Sequence, residues 1–415
     1  MLTGDEKVIT KYLQKYAEPE VNALPSLPHY DHCLVIPAFD ETFKQLERTW
    51  HRLQENYLVI LVVNSPLKEH AATLRLRQDI ASLASSSDPV ERCSYIPGNP
   101  DILLVDRCTV GNTIPPRQGV GLARKVGADI ALRLISEGRV ASPRISCTDA
   151  DAILPENYFA PALTSADAAL VFPFVHQPEP GLQLPTLLYD LSIVYYACGL
   201  RWSGSTYAYT SLGSTMAISA SHYAKVRGFP RRDAAEDFYL LNKLAKTGSI
   251  QSLPVQPVHL AGRLSDRVPF GTGAGIGKIS GMKNPLDDFH FYHPDTFRLL
   301  KELLAALSST WTEPQALAGS SKEIQTYCEQ SGLGELIAQQ REKQTKKKVF
   351  EKFLHDWFDG FRTVKFVHFM RDHYLPSVPI SGLSKAEFID GFSQADLPEL
   401  RHQLSKQLFK AVEIG

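Results

Sequence analysis

The chain has no CxxC pair. Its six cysteines, Cys33, Cys93, Cys108, Cys147, Cys198 and Cys328, are scattered over 415 residues. That spacing argues against a zinc knuckle or a disulfide framework and fits a reducing compartment, so a cytoplasmic protein is expected. Net charge is nearly absent as well, at -1, so no overall basic field draws the chain to nucleic acid. The start, Met1-Leu2-Thr3-Gly4-Asp5-Glu6-Lys7, has no apolar core of the signal-peptide kind, and no signal peptide is expected. Long apolar runs are missing too. The most apolar window, Leu187 to Leu200, contains Asp190 and is too short to span a bilayer. No transmembrane segment is therefore expected, although peripheral contact with a membrane surface stays open. There is no internal repeat and no long low-complexity tract.

A hydrophobic share of 44% is ample for a sizeable core, and the length suggests two or three domains. The most informative stretch is Ile145-Ser146-Cys147-Thr148-Asp149-Ala150-Asp151-Ala152-Ile153-Leu154-Pro155. It reads as a short strand that stops at two carboxylates and a turn. Residues i and i+2 of a strand share a face, so Asp149 and Asp151 can project together. Two such carboxylates suit a hard divalent cation with positions left open for phosphate oxygens. An Asp-rich turn that caps the next helix is the other reading of the same residues.

Around it, apolar runs alternate with helical patterns. Residues Asp5 to Tyr16 read as a short amphipathic helix. The run His32 to Ala38 reads as a buried strand, with a helix from about Thr42 to Gln54. Tyr57 to Val63 and Ile102 to Val105 read as further buried strands, and Gly119 opens a helix that reaches about Glu137. Strands alternating with helices imply a parallel α/β sheet, whose ligands bind beyond the carboxyl ends of the strands. Asp40, Glu41, Asn64, Asp106, Asp149 and Asp151 all fall at those ends.

Five segments, in order, then resemble a known family. Val35-Ile36-Pro37-Ala38-Phe39-Asp40-Glu41 resembles the opening "VIPAYNE" of family 2-type glycosyltransferases. Gly121-Leu122-Ala123-Arg124-Lys125-Val126-Gly127 resembles their "GxARNxG" helix start, and Asp149-Ala150-Asp151 their DxD motif. Gly213 to Ser219, followed by Val226-Arg227-Gly228-Phe229-Pro230, resembles the acceptor-side strand and "GGF" turn. Ala235-Glu236-Asp237-Phe238 resembles the "ED" helix. The likeness covers roughly residues 32 to 240. It implies the GT-A fold, an α/β nucleotide-sugar transferase sheet with helices on both faces, followed by a mostly helical C-terminal region. The expected division is an N-terminal helical arm (1–30), the GT-A domain (31–282) and the helical region (283–415).

The resemblance implies a metal-dependent, inverting glycosyltransferase that moves a hexosyl group from a nucleotide-diphospho-sugar to an acceptor hydroxyl. A sugar- or nucleotide-binding protein without catalysis on the same fold is the alternative. Pro37, Ala38 and Glu41 would contact base and ribose. Asp149 and Asp151 would hold Mn²⁺ or Mg²⁺ against the diphosphate, with Arg117, Arg124 or Lys125 adding positive charge. Asp237 would take the acceptor's proton, with Glu236 as the second choice. Two departures stand out: Asn64 replaces the usual acid after the second strand, and Lys125 stands where Asn is common.

His259, on a strand after the "ED" helix, is either a third metal ligand or a core histidine. Gly271 to Gly277 has alternating glycines without the GK[ST] of a phosphate loop. It reads as an active-site lid that would carry Arg263 or Arg267 to the diphosphate, or as a linker. Beyond it, Arg341, Lys343, Lys346, Lys347 and Lys348 precede an aromatic stripe at Phe350, Phe353, Leu354, Trp357, Phe358 and Phe361. That pattern fits a core-facing helix with a solvated basic end more closely than a lipid-binding one. The sequence does not name the sugar, the nucleotide, the acceptor or the oligomeric state.

Overall fold

A computed structural model describes residues 3–66, 70–83, 90–161, 164, 166–265 and 271–410. Along the chain run α1 (Gly4–Lys15), β1 (His32–Ala38), α2 (Phe43–Trp50), β2 (Tyr57–Asn64), α3 (Ala71–Ala81), β3 (Cys93–Ile96), β4 (Asp101–Arg107), α4 (Gly119–Ser136), β5 (Arg144–Cys147), β6 (Asp167–Val171) and β7 (Phe174–Pro178). Then come α5 (Gln183–Trp202), β8 (Met216–Ser219), α6 (Ala220–Lys225), α7 (Glu236–Leu244), β9 (Ser249–Ser252), β10 (Val258–Gly262) and α8 (Thr272–Ser280). The remainder is mostly helical: α9 (Pro285–Asp288), β11 (His290–Phe291), α10 (Pro294–Ser309), α11 (Lys322–Ser331), α12 (Leu333–Lys343), α13 (Lys347–Trp357), α14 (Gly360–His373), β12 (Val378–Pro379) and α15 (Leu397–Leu408).

The chain forms two compact units. The first comprises Met1–Glu179, Ser211–Ala274 and Phe409–Gly415; the second comprises Pro180–Thr210 and Gly275–Leu408. This division departs from the sequence-based boundaries in two ways. The N-terminal arm belongs to the sheet unit, and α5 belongs with the C-terminal helices.

The first unit is built on an eight-stranded mixed sheet in the order β3-β4-β2-β1-β5-β8-β6-β9. Its centre, β4-β2-β1-β5, is wholly parallel. Strands β1, β2 and β4 carry runs of Val, Ile and Leu because both faces are covered, and β2 is buried at every residue. Helix α4 is buried around nearly its whole girth, with Arg124, Lys125 and Asp129 as its buried charges. It approaches β1 so closely that a Cβ on Gly127 would lie 2.4 Å from Val35 Cγ1. From β1 the chain builds outward to β2 and β4 and then returns to pair β5 with the other edge of β1. The β1/β5 junction is thus a topological switch point, where a crevice opens beyond the carboxyl ends. A separate parallel pair, β7 and β10, is tied to the turn after β5 by mutual hydrogen bonds between the backbones of Ile153 and His259 (2.7 and 3.0 Å).

The second unit centres on α5, which packs on α10 and α15. Tyr195, Phe291, Phe297 and Phe388 meet there with ring centroids 5.4 to 5.8 Å apart. In α13, Phe350, Leu354 and the following Phe358 are buried while Lys346, Lys347 and Lys348 are exposed, the arrangement of a core-facing stripe. Among the described residues no helix is long and apolar enough to cross a membrane.

Candidate active site

The switch-point crevice is a cleft of about 430 Å³ within the first unit. A drug-sized ligand site occupies roughly 300 to 1,000 Å³. Pro37, Phe39 and Glu41 reach it from the end of β1, Asn64 and Pro66 from β2, and Asp149, Ala150 and Asp151 from the turn after β5. Gly119 and Val120 bring the amino end of α4, and Ser214, Asp233 and Glu236 form the opposite side. Leu260, Ala261, Arg263 and Ser265 come from β10 and the residues after it, with His176 and Thr272 beside them.

The Asp149–Asp151 turn is anchored at both ends. Thr148 donates its amide to the Val35 carbonyl (3.1 Å), and Ala152 closes the turn onto the Asp149 carbonyl (3.2 Å). Each carboxylate has an arginine partner. Arg124 pairs with Asp149 through Nη2 and with Glu236 through Nε (2.9 Å), and Nη1 donates to the Thr148 carbonyl (3.4 Å). Its guanidinium lies flat against Gly213, where a Cβ would come within 2.6 Å of Nη2. Burial works against the Arg124 charge, but Asp149 and Glu236 outweigh it and hold the group protonated. Arg263, just past β10, extends one Nη2 to both Glu41 and Asp151, the latter at 2.8 Å.

Breaking the buried part of this network has a calculable result. Arg124 and Glu236 side chains are only 4% and 5% exposed. Arg124→Met leaves Glu236 charged and unpaired, at a cost of about 3 to 5 kcal/mol. A urea-denaturation midpoint that barely moves would contradict this accounting of the pair.

Arg124 and Lys125 are neighbours in sequence, yet α4 turns them about 100° apart. The structure corrects the expectation for Lys125. Its Nζ is buried under the N-terminal arm, donating to Asp129 Oδ2 (2.7 Å), the Tyr12 hydroxyl (2.8 Å) and the Tyr16 carbonyl (2.9 Å). It therefore holds the arm and does not face the cleft. Asp106 is corrected likewise. Its carboxylate accepts from Arg77 Nε (3.0 Å) and from the amides of Cys108 and Thr109 (3.0 and 3.1 Å), and so orders the loop after β4. Burial raises its proton affinity, but those hydrogen bonds outweigh burial and keep it below the usual range.

Arg117 is exposed and Ala38 is fully buried in β1, and neither lines the cleft. His259 does not line it either; its neighbours Leu260 and Ala261 do. Among the described residues its buried Nδ1 has no hydrogen-bond partner, and burial, then the Arg52 charge, lowers its proton affinity below the usual imidazole value. Arg267 lies outside the described residues.

Asn64 is brought to the cleft, and the amide orientation that satisfies its surroundings turns the NH₂ to the carbonyls of Ala38 and Val62 (3.3 Å each), leaving its oxygen to accept from a ligand. The glycine run after residue 271 is helical, forming most of α8, because Ile276 and Ile279 share a buried face. His176, 4% exposed and hydrogen-bonded through Nε2 to the Thr272 hydroxyl (3.1 Å), was not foreseen; a lone His on a short strand carries no spacing signal.

At the head of α7, Glu236 lines the cleft while Asp237 sits beside it, half-buried, accepting from the Phe238 amide (2.7 Å). Burial first, and the adjacent Glu236 charge second, push the Asp237 carboxyl up to about 7. A carboxyl whose proton affinity rises on folding makes the folded state less stable as pH climbs toward that value. Asp237→Asn removes this titration. The variant should therefore melt above the parent at pH 8, and the gap should close toward pH 5. A gap independent of pH would refute the raised value.

Asp149 and Asp151 fit a hard cation by chemistry. They are oxygen donors on one turn, 40% and 23% exposed, facing the cleft. Among the described residues no cluster of three or more His, Cys, Asp or Glu could hold a metal ion, so His259 does not complete such a set. The remaining positions would fall to water or to ligand oxygens, as is usual for Mg²⁺.

No family model matches the chain, and no curated protein matches it by sequence. Among solved structures it aligns with a mannosyltransferase of Pyrobaculum calidifontis in complex with GDP-mannose and Mn²⁺. The identity is 15% over 84% of this chain and 91% of that one, with a TM-score of 0.34. It also aligns with S. aureus TarS residues 1–349 in complex with UDP-GlcNAc, at 10% identity over 91% and 89%, TM-score 0.34. Likenesses this loose carry no argument, and the functional reading stands on the chain's own residues.

Proposed function

We propose that this chain is a cation-dependent glycosyltransferase of the GT-A type, moving a sugar from a nucleotide-diphospho-sugar to an acceptor hydroxyl. The observation that carries the reading is the convergence at one switch-point cleft. The Asp149–Asp151 turn, the amino end of α4 and Glu236 at the head of α7 meet there, with Asp237 next to Glu236 in the chain. A helix amino end favours a phosphate group. Its neighbourhood does not: Glu41, Asp149, Asp151, Asp233 and Glu236 line the cleft against Arg124 and Arg263. A diphosphate entering that surplus of carboxylates needs added positive charge. A divalent cation held by Asp149 and Asp151 supplies that charge against the diphosphate when it is bound.

In the reaction the acceptor oxygen attacks the anomeric carbon, the bond from that carbon to the phosphate oxygen breaks, and a nucleoside diphosphate departs. One such displacement inverts the anomeric centre. The hydroxyl proton passes to a carboxylate. Asp237 suits this better than Glu236. Glu236 is engaged by Arg124 through an ion pair, whereas Asp237 has a proton affinity raised toward neutrality. Glu236 then acts by position, orienting Arg124 and raising Asp237.

The test is a thermal-shift panel of UDP-, GDP-, ADP- and TDP-sugars with and without Mn²⁺. At a hundred times its dissociation constant a ligand adds about 2.7 kcal/mol to apparent stability. One donor class should shift the melt by several degrees with Mn²⁺ present. Uniform melting across the panel would count against the reading.

A further inference from the structure

Two loops flank the first turn of α4, and each carries a cleft residue. Residues 108–118 lead into α4 and bring Ile114 to the cleft, while residues 229–235 lie across it and bring Asp233. The second loop runs so close that a Cβ on Gly121 would lie 2.5 Å from the Pro230 carbonyl oxygen. The Gly121 amide donates to the Arg232 carbonyl (2.9 Å). Neither loop is part of a helix or of a sheet, and Arg231, Arg232 and Asp233 are exposed in succession. Backbone of this kind opens readily unless something ties it down. Both loops are tied to one place in the N-terminal arm. There a single helical turn, Pro19–Asn22, packs on α4, and the Glu18 amide before it donates to Asp129 Oδ2 (2.8 Å). The buried Glu18 carboxylate accepts from Arg231 Nε (2.9 Å), with Arg231 Nη2 at 2.8 Å and Lys125 Nζ at 3.6 Å. Two residues on, the buried Glu20 accepts from Arg92 Nη1 (3.0 Å) and Arg107 Nη1 (3.2 Å). Arg92 Nε donates in turn to Asn112 Oδ1 (2.8 Å), in the other loop.

We propose that Glu18 and Glu20 are positioning residues: through Arg231 and Arg92, the N-terminal arm is a strap that fixes both walls of the cleft. Apolar side chains would hold an arm on a helix at least as well as buried charges do. What charge-assisted hydrogen bonds add is direction, and here they reach past α4 to the loops on either side. What each wall does rests on the nucleotide-sugar reading above. The Ile114 amide donates to the Ser65 carbonyl (2.9 Å), next to Asn64, so its wall is the one read as the nucleotide's. Asp233 stands three residues before Glu236, on the wall where the proton is taken. Glu20 therefore governs donor affinity, and Glu18 governs turnover.

The experiment uses Arg231→Met and Arg92→Met in the full chain. These side chains are 50% and 32% exposed, and each buried glutamate keeps a second cation, Lys125 for Glu18 and Arg107 for Glu20. Both variants should therefore fold, with circular-dichroism melts close to the parent's. Hydrogen–deuterium exchange, read by mass spectrometry without ligand, is the first measurement. Arg231→Met should speed exchange about fivefold or more in 229–235 and in the peptide holding Gly121, and leave 108–114 as in the parent. Arg92→Met should do the reverse. The second measurement is release of nucleoside diphosphate, with Mn²⁺, from whichever UDP-, GDP-, ADP- or TDP-sugar stabilises the parent. Arg231→Met should lower the saturated rate about tenfold and change donor affinity less than about twofold. Arg92→Met should weaken donor affinity about fivefold and keep the saturated rate. Arg231→Lys retains a charge for Glu18 and should recover most of the lost rate.

Parental exchange in both loops overturns the strap and leaves the nucleotide-sugar reading intact. Faster exchange spread evenly over the sheet and α4 also overturns it, because the arm then supports the whole unit and sets no particular wall. So does local loosening with parental rate and affinity in both variants, since the loops are then held without being positioned. If the loops loosen one by one as expected, but no nucleotide-sugar binds the parent, the arm still fixes the walls of the cleft. In that case it is the nucleotide-sugar reading that fails.

Discussion

Asp237→Asn should lower sugar transfer by about two to four orders of magnitude while changing donor affinity by less than about tenfold, roughly 1.4 kcal/mol. The substitution keeps shape and can still accept from the Phe238 amide, so the start of α7 should be undisturbed. Only the capacity to take a proton is lost. In the parent the rate should rise with pH and level off above about 7, as the raised carboxyl ionises. Glu236→Gln removes the neighbouring negative charge that helps to raise Asp237, so its rising limb should move to lower pH. Loss of transfer in Glu236→Gln together with a near-parental rate in Asp237→Asn would assign the proton to Glu236 instead.

Asp151→Asn is the second large effect. It should remove the part of donor affinity that depends on Mn²⁺, with cation affinity falling about a hundredfold, roughly 2.7 kcal/mol. The melting temperature should change little, because Asp151 lies at a strand-end turn and is 23% exposed. Isothermal titration with donor, with and without chelator, reads this directly. If parent and variant bind donor equally under both conditions, the cation site is not at Asp151.

The sheet centre was legible because β1, β2 and β4 are continuous apolar runs, the local signature of strands buried on both faces. The turn at Asp149 was legible for a similar reason: the polar residues begin where the buried strand ends. Long-range geometry was not legible. Nothing in the order Arg124-Lys125 says that one faces the cleft and the other faces Tyr12 and Asp129, since that depends on where the N-terminal arm lies. Arg263 is 112 residues from Asp151, beyond any spacing rule, and only the pairing of β10 with β7 and the bridge from His259 to Ile153 bring it back. The glycines of α8 point to a loop by turn chemistry, and only the three-residue spacing of Ile276 and Ile279 signals the helix. α5 was assigned to the sheet domain by sequence order, whereas Phe297, against which Gly199 packs, belongs with the C-terminal helices.

The most direct measurement of the central claim is release of nucleoside diphosphate from the donor that stabilises the chain, followed by phosphorus NMR with Mn²⁺ or chelator. The account predicts cation-dependent release, accelerated by the true acceptor, slow by hydrolysis without it, and absent in Asp237→Asn. A donor that binds tightly yet stays intact with every acceptor tested, in the parent as in the variant, would contradict catalysis and leave a binding protein on this fold.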